Sequence, residues 1–394
     1  MNRIQHNILN ILHTSVFALI VLTITALFSC EDNEENGQTT SQEVPIAFQT
    51  SMEGQAMVTR ANSLYYHGLD TTKFSLNEKI GVFAYYTGND WYHEGFVPNF
   101  MYNQMVEQVE KTNEKRTWNY TPVKYWPNNA NDKLTFTAYY PYNGTGITLS
   151  PNTKKGLPTI FFHTQERTEE QIDLLVSDLL HDCRHIARPD DGVDDPVNNI
   201  FRTVTAKVPL NFHHALAQIR FYIYVNINRT SEWHEKLKKI NLQLENVYRD
   251  GLLTFPFNKI GRYTFADMDD KGNYLTNAWS ARDNVGTLSA DDYYYQGVKS
   301  VENKVDAAHS IVAVKDFFCV IPQQPTYPLL GKTEKPTLRI FATKEGYDTP
   351  ELVATETISN EWRGGWIYRY TLRLNFEGDG VYGYYVDTHE AEQW

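Results

Sequence analysis

The chain is short of cysteine, of positive charge and of long apolar runs, and each shortage closes off a class of protein. Three cysteines in 394 residues are too few for a disulfide scaffold, so buried apolar surface has to hold the fold. Lys and Arg total 36 against 48 Asp and Glu, a formal net charge of −12. With no basic cluster to offset it, that balance excludes the positive stripe a nucleic-acid binder needs. The most apolar stretch, Val16 to Phe28, is too short to span a bilayer as a helix. Helical periodicity is scarce. It is confined to Glu169–Leu180, with Ile172, Leu175, Val176 and Leu179 at 3.6-like spacing, and to two turns over Glu232–Lys239.

Aromatics are plentiful: 20 Phe, 8 Trp and 26 Tyr make up 14% of the chain. With 22 Gly and 16 Pro as punctuation, they favour β-sheet. Short strands are predicted at Val44–Phe48, Lys79–Tyr86, Lys133–Tyr140, Val208–Phe212, Ala217–Asn226, Ile240–Leu244, Phe317–Ile321, Thr337–Thr343 and Ile367–Phe376. The length suits two domains, each large enough for its own core. The Asp- and Pro-rich stretch from Pro189 to Arg202 breaks any regular element. It divides an expected 44–200 domain from a 201–394 domain.

Residues 1–29, with Arg3 ahead of the apolar run, read as a secretory signal. Leu27-Phe28-Ser29-Cys30 resembles the lipobox of bacterial lipoproteins, whose cysteine is acylated and becomes the first residue. An ordinary signal peptide with an incidental cysteine is the alternative. Glu31, Asp32, Glu34 and Glu35 open a polar stretch that runs through residue 43. It reads as a solvated tether over 30–43, and it also resembles the acidic surface-export signal of lipoproteins in the Bacteroides group. Loss of 1–29 removes Arg3 and no acidic group, leaving a still more negative chain suited to a cell surface. Of the remaining cysteines, Cys183 and Cys319 either pair or stay as thiols, Cys319 lying in the apolar run 317–321.

The strands also carry an order. Trp118-Asn-Tyr-Thr-Pro-Val-Lys-Tyr-Trp-Pro127 followed by Leu134-Thr-Phe-Thr-Ala-Tyr-Tyr-Pro141 resembles a signature of the Bacteroides fimbrillin-like proteins. Asp173-Leu-Leu-Val-Ser177, Leu210-Asn-Phe-His-His-Ala-Leu-Ala217, Ile321-Pro-Gln323 and Tyr368-Arg-Tyr-Thr-Leu-Arg-Leu374 are similar to further segments of that family, in its order. The resemblance implies a mainly β chain: two transthyretin-like antiparallel β-sandwich domains with minor helix. It implies a lipoprotein subunit of a surface fimbria, anchored in the outer membrane through lipid and partnered by other fimbrial subunits. In such proteins a protease cuts after an arginine and removes the first strand, and a neighbouring subunit's strand fills the groove. The expected cut lies between Arg60 and Ala61. The expected donor is the tail 376–394, with Val381, Tyr382, Tyr384, Tyr385 and Val386. An edge strand completing its own domain is the alternative for that tail, whose glycines and acidic residues suit a groove poorly.

Signatures of catalysis are missing. Gly331-Lys332-Thr333 has Thr326 where a P-loop needs glycine, and His234-Glu235 and His389-Glu390 lack a zincin's second histidine. No G-x-S-x-G elbow occurs, and Cys183 with His185 has no supporting context. His213 and His214 are adjacent on a strand, so they face opposite ways and do not share a metal. Asp190, Asp191, Asp194 and Asp195 sit around a glycine misplaced for a Ca²⁺ loop. Asp70-Thr71-Thr72 resembles an O-glycosylation tripeptide of this bacterial group. No enzyme, cofactor or metal is expected. A second functional reading is a monomeric surface lipoprotein that binds glycan or host protein through Tyr65, Tyr66, Trp91, Tyr92 and Tyr293 to Tyr295.

Overall fold

The computed structural model of the chain describes residues 43–52, 74–111, 115–185, 202–203, 207–254, 279–281, 285–294, 311–313, 317–323, 335–359, 361–378 and 380–393. Nearly all of its regular structure is β. The first strands are β1 (Phe48–Met52), β2 (Lys79–Gly88), β3 (Met101–Lys111), β4 (Lys115–Asn119), β5 (Lys133–Tyr140), β6 (Ile147–Leu149) and β7 (Thr159–His163). A 3-10 turn at Thr168–Glu170 precedes β8 (Leu175–Ser177), β9 (Leu180–Arg184), β10 (Arg202–Thr203) and β11 (Val208–His214). Then come β12 (Ala217–Ile227), β13 (Leu237–Tyr248), β14 (Asp250–Thr254), β15 (Trp279–Ala281), β16 (Val285–Tyr294), β17 (Ile311–Ala313) and β18 (Phe318–Val320). The last four are β19 (Thr337–Lys344), β20 (Glu351–Thr357), β21 (Trp366–Glu377) and β22 (Gly380–Gln393). Among the described residues no helix is long and apolar enough to cross a membrane.

The largest sheet runs β1-β11-β8-β5-β2-β3-β4, with β9 and β10 attached beside β5. Both of its faces are covered. All eight residues of β5 are buried. Leu134, Phe136, Ala138 and Tyr140 point into one core, and Tyr139 enters another on the opposite side. β2 divides likewise, with Ile80, Val82 and Ala84 on one face and Phe83 and Tyr85 on the other. Their large residues at alternate positions and the turn residues that follow are why these two were legible as strands; burial of both faces fills the remaining positions with Thr, Ala and further aromatics. The second core is roofed by the small sheet β15-β14-β7-β6. Beyond β11 the chain crosses through Ala215 and Leu216, both buried in that second core, into β12.

The C-terminal strands form two further sheets, β17-β12-β21-β22 (with β18 also on β12) and β16-β13-β19-β20. They enclose one core, built from Ile219, Phe221 and Ile223 on β12, Leu242 and Leu244 on β13, Leu338 and Ile340 on β19, and Tyr370 and Leu372 on β21. β13 and β19 largely alternate buried and half-buried positions, as burial mainly on one side demands.

Several expectations need correction. The apolar spacing over Glu169–Leu180 is not helical: only Thr168–Glu170 makes a turn, and β8 and β9 follow. Leu174, Val176 and Leu179 fill one core while Leu175 and Leu180 fill the other, so the spacing reflects burial on two faces. Glu232–Lys239 holds turns anchored by buried Trp233 and then the start of β13. The first strand sits later than Val44–Phe48, at Phe48–Met52, with a single bridge at Pro45. The sheets are also mixed, because β1 with β11, β9 with β10 and β12 with β21 run parallel. No disulfide joins Cys183 and Cys319. Each is buried in a different core, and burial pushes the Cys319 thiol well up.

Candidate functional site

From Ile46 through β1 the sequence alternates, and the alternation puts Ile46, Phe48, Thr50 and Met52 on the inner side and Ala47, Gln49 and Ser51 outward. Ile46, Phe48 and Met52 are 2%, 1% and 9% exposed. On one flank β1 lies parallel to β11, in register from Phe48 opposite Val208 to Met52 opposite Phe212. The Val208 amide donates to the Ala47 carbonyl at 2.7 Å. On the other flank the Ile46 amide donates to the Lys124 carbonyl at 2.8 Å, and the Trp126 amide to the Val44 carbonyl at 2.9 Å. The sheet therefore curls until the stretch leading into β1 meets the stretch leaving β4, bridged at Pro45 and Tyr125. β1 closes the seam.

Two aromatic side chains lock that closure. The indole N–H of Trp118, on β4, donates to the Thr50 hydroxyl at 3.2 Å. The Tyr120 hydroxyl donates to the Ile46 carbonyl at 2.8 Å. Burial raises the Tyr120 phenol, and its hydrogen bond with the Lys124 backbone partly opposes the rise. The Phe48 ring meets Tyr120 at 5.6 Å and Phe136 at 6.1 Å between centroids. Full burial of three such side chains is worth roughly 5–9 kcal/mol in gross terms.

Phe74, which follows Arg60 in the chain, enters the same core against Trp118 at 5.4 Å and Phe212 at 5.2 Å. Arg60 and Ala61 thus lie between two buried anchors, Met52 and Phe74. They fall outside the described residues, as do Cys30, Glu31, Asp32, Glu34 and Glu35, the Asp70-Thr71-Thr72 tripeptide, Gly331-Lys332-Thr333 and the Asp190–Asp195 stretch.

On the outer side a polar chain extends from the strand. The Ser51 hydroxyl donates to Asn211 Oδ1 at 3.1 Å, and Asn211 Nδ2 donates to Asp178 Oδ2 at 3.1 Å. His213 Nε2 meets Asp178 Oδ1 at 2.8 Å, while His214 Nδ1 meets Asp173 Oδ2 at 2.7 Å. The adjacent histidines bind separate aspartates on opposite faces of β11. No group of three or more metal-ligating side chains occurs among the described residues.

The tail residues Val381, Tyr382, Tyr384, Tyr385 and Val386 lie on β22, which pairs antiparallel with β21. The register runs from Trp366 opposite Gln393 to Glu377 opposite Gly380, with Phe376 opposite Val381 and Leu372 opposite Val386. Here the tail is an edge strand of its own sheet. Gly378 makes the reversal at φ +57°.

Of the aromatics singled out for glycan binding, Tyr92 is buried, its ring 5.1 Å from that of Tyr85. Trp91 is 37% exposed, with the Lys133 ammonium 4.9 Å from its ring centre. Tyr293 and Tyr294 are on β16; Tyr65, Tyr66 and Tyr295 fall outside the described residues. A different cluster forms an open cavity of about 610 Å³, lined by Phe100, Tyr102, Asn99, Asn152 and Thr153 among others. Tyr102 is held there by its hydroxyl, which donates to the Ser150 carbonyl at 2.6 Å.

Sequence reasoning missed Thr50, Trp118, Tyr120 and Asn211. Trp118 and Tyr120 were in view only as part of the segment 118–127 that resembles the family signature. Their two-residue spacing, which turns both to one side of an extended chain, was the signal that they share a target.

None of the curated proteins matches the chain. Among solved structures, a fimbrial protein from Bacteroides vulgatus is similar at 20% identity and a TM-score of 0.47, over 80% of this chain and 92% of that one. A candidate cell adhesion protein from Bacteroides uniformis is similar at 14% identity and a TM-score of 0.47, over 91% and 100%. Residues 59–381 match the family of proteins described as fimbrillin-like, and the chain belongs to that family.

Proposed function

We propose that the protein is a structural or adhesive subunit of a surface fimbria, assembled by strand exchange. It reaches the surface as a lipoprotein through Cys30 and the acidic run Glu31, Asp32, Glu34 and Glu35. Cleavage between Arg60 and Ala61 then frees the first strand. The observation that carries this reading is the seating of β1. With Ile46 just ahead of it, it fills the seam of its sheet with Phe48 and Met52, and its covalent link to the following core residue, Phe74, runs through Arg60. Once that link is cut, the strand is held as a ligand is held, and another strand of suitable pattern can replace it. In this reading the two sandwiches are not divided cleanly at residue 200: the N-terminal one takes in β11 and, through β7, also β14 and β15, and the C-terminal one is built from β12, β13 and β16 to β22.

Protein sheared from its native cells tests the proposal by N-terminal sequencing, intact mass and gels run without boiling. A start at Ala61, with multimers that collapse on boiling, is the expected result. A single band beginning at acylated Cys30 defeats strand exchange.

The cavity beside Phe100 and Tyr102 favours a second reading, glycan binding. It pairs aromatic faces with the amide and hydroxyl groups of Asn152 and Thr153. Tyr102→Ala abolishing retention on a glycan array supports it; retention unchanged by that substitution removes its basis.

A further inference from the structure

The seam does more than accept an extended chain. It reads one. Inward positions 46, 48, 50 and 52 carry an aliphatic, an aromatic, a hydroxyl and a second aliphatic-type side chain. The three apolar sites are enclosed, at 2%, 1% and 9% exposure. The third site is polar because Trp118 requires it. That indole is 7% exposed, and its N–H is directed at Thr50 Oγ1 at 3.2 Å. A buried indole N–H is a donor with no acceptor function of its own, so the strand has to present an acceptor there. Leaving the N–H without one costs most of its desolvation, about tenfold or more in affinity.

Resting on the strand-exchange reading, we infer that this groove selects a strand with the inward pattern aliphatic, aromatic, hydroxyl, apolar, and takes it from a different polypeptide rather than from the tail of a second copy of this chain. Two observations exclude that tail. First, no frame of residues 380–393, read in the direction of β1, fits the pattern. Its one Ser or Thr is Thr388; placed against Trp118, it puts Tyr384 and Val386 at the first two sites but Glu390 in the seat of Met52. A carboxylate in that nearly closed apolar site is disfavoured strongly. Of the other frames, three put Gly380 or Gly383 into an apolar site and three put Asp387 or Glu392 there. The last, starting at Tyr382, sets Val386 opposite Trp118 and offers its N–H no acceptor. Second, the tail is already engaged along β21 from Trp366 to Glu377. Donating it would leave the backbone of β21 open on that flank.

The test uses the full mature chain with a specific protease site placed at the Arg60–Ala61 bond and cut in the folded state. Fluorescent peptides then compete for the groove: residues 43–52, the same peptide carrying Thr50→Val, and residues 380–393. The expected order is tight binding of the first, release at least about tenfold faster for Thr50→Val, and no measurable binding of the tail. In the Trp118→Phe chain, the unaltered 43–52 peptide and its Thr50→Val variant should bind alike, because the donor that tells them apart is gone. Equal binding of the tail and the 43–52 peptide overturns the claim of a separate partner. Equal release of the unaltered and Thr50→Val peptides from the unaltered chain overturns the role of Trp118. If the cut strand never exchanges with any peptide, strand exchange itself fails, a result distinct from both.

Discussion

The two edge strands, β1 and β22, show opposite ways of ending a sheet. β22 is 14 residues long and antiparallel to the strand immediately before it, across a turn at Gly378. β1 has 5 residues and runs parallel to β11, whose paired residues begin at Val208. A hairpin strand closes a short loop and re-forms from its own neighbour at little entropic cost. A strand whose contacts are all distant in sequence holds its place by side-chain burial and by its covalent tether. Once the tether is cut, its effective concentration falls to that of a free peptide. The long edge is local and self-contained. The short one is built like a bound ligand.

The largest effect that can break this comparison is at Phe48. Phe48→Ala should cost about 3–5 kcal/mol, the range for emptying a fully buried aromatic site. Val381→Ala, half-buried at the edge of the C-terminal core, should cost only about 1 kcal/mol. Denaturant unfolding of both variants checks the ratio. Equal losses would mean that β1 is no more deeply seated than β22.

Alkaline pH should separate the same two regions next. Burial raises Tyr139 to about 12 and also lifts Tyr85, Tyr92, Tyr120 and Tyr140 in the N-terminal part. In the C-terminal sandwich Tyr368 reaches about 12 and Tyr370 is raised as well. A phenol whose folded value is raised keeps a proton that the unfolded chain gives up. Its contribution is whole below the ordinary value of 10.0 and is lost as pH climbs through the folded value near 12. With more such groups packed around it, the N-terminal part should loosen first. Hydrogen exchange resolved by segment, followed above pH 10, checks the order. C-terminal strands loosening first would show that the phenols do not control the transition.

Much of this fold was legible because burial wrote it plainly. Lys79–Tyr86 and Lys133–Tyr140 lie within a sheet covered on both faces, and large residues at alternate positions followed by turn residues marked them as strands. The same two-sided burial misled at Leu174–Leu180, where side chains sent alternately to two cores reproduce helical spacing. The parallel pairing of β1 was hidden for another reason: strand direction depends on where the chain returns from, which no local pattern records. At the site, the motif around Trp118 was visible as a resemblance. Its chemistry was not, because the acceptor for its N–H is Thr50, 68 residues away. A donor seeking an acceptor across that distance leaves no periodic trace.

The finest test of the comparison is at the turn that makes β22 local. Gly378 sits at φ +57°, and a Cβ built there would have nothing within 4 Å. Gly378→Ala therefore incurs the backbone penalty of the left-handed region alone, about 1 kcal/mol. The strain falls where the Gly378 carbonyl accepts hydrogen bonds from the Glu232 amide at 2.8 Å and the Ser231 hydroxyl at 3.0 Å. Because β22 depends on this reversal and β1 does not, amide exchange should quicken along β22 while the amides of β1 stay as protected as before. Gly378→Asn, which tolerates that backbone better, should fall between the two. If exchange quickened equally in β1, the two edges would be coupled through the cores, and the independence of the long edge from the short one would have to be given up.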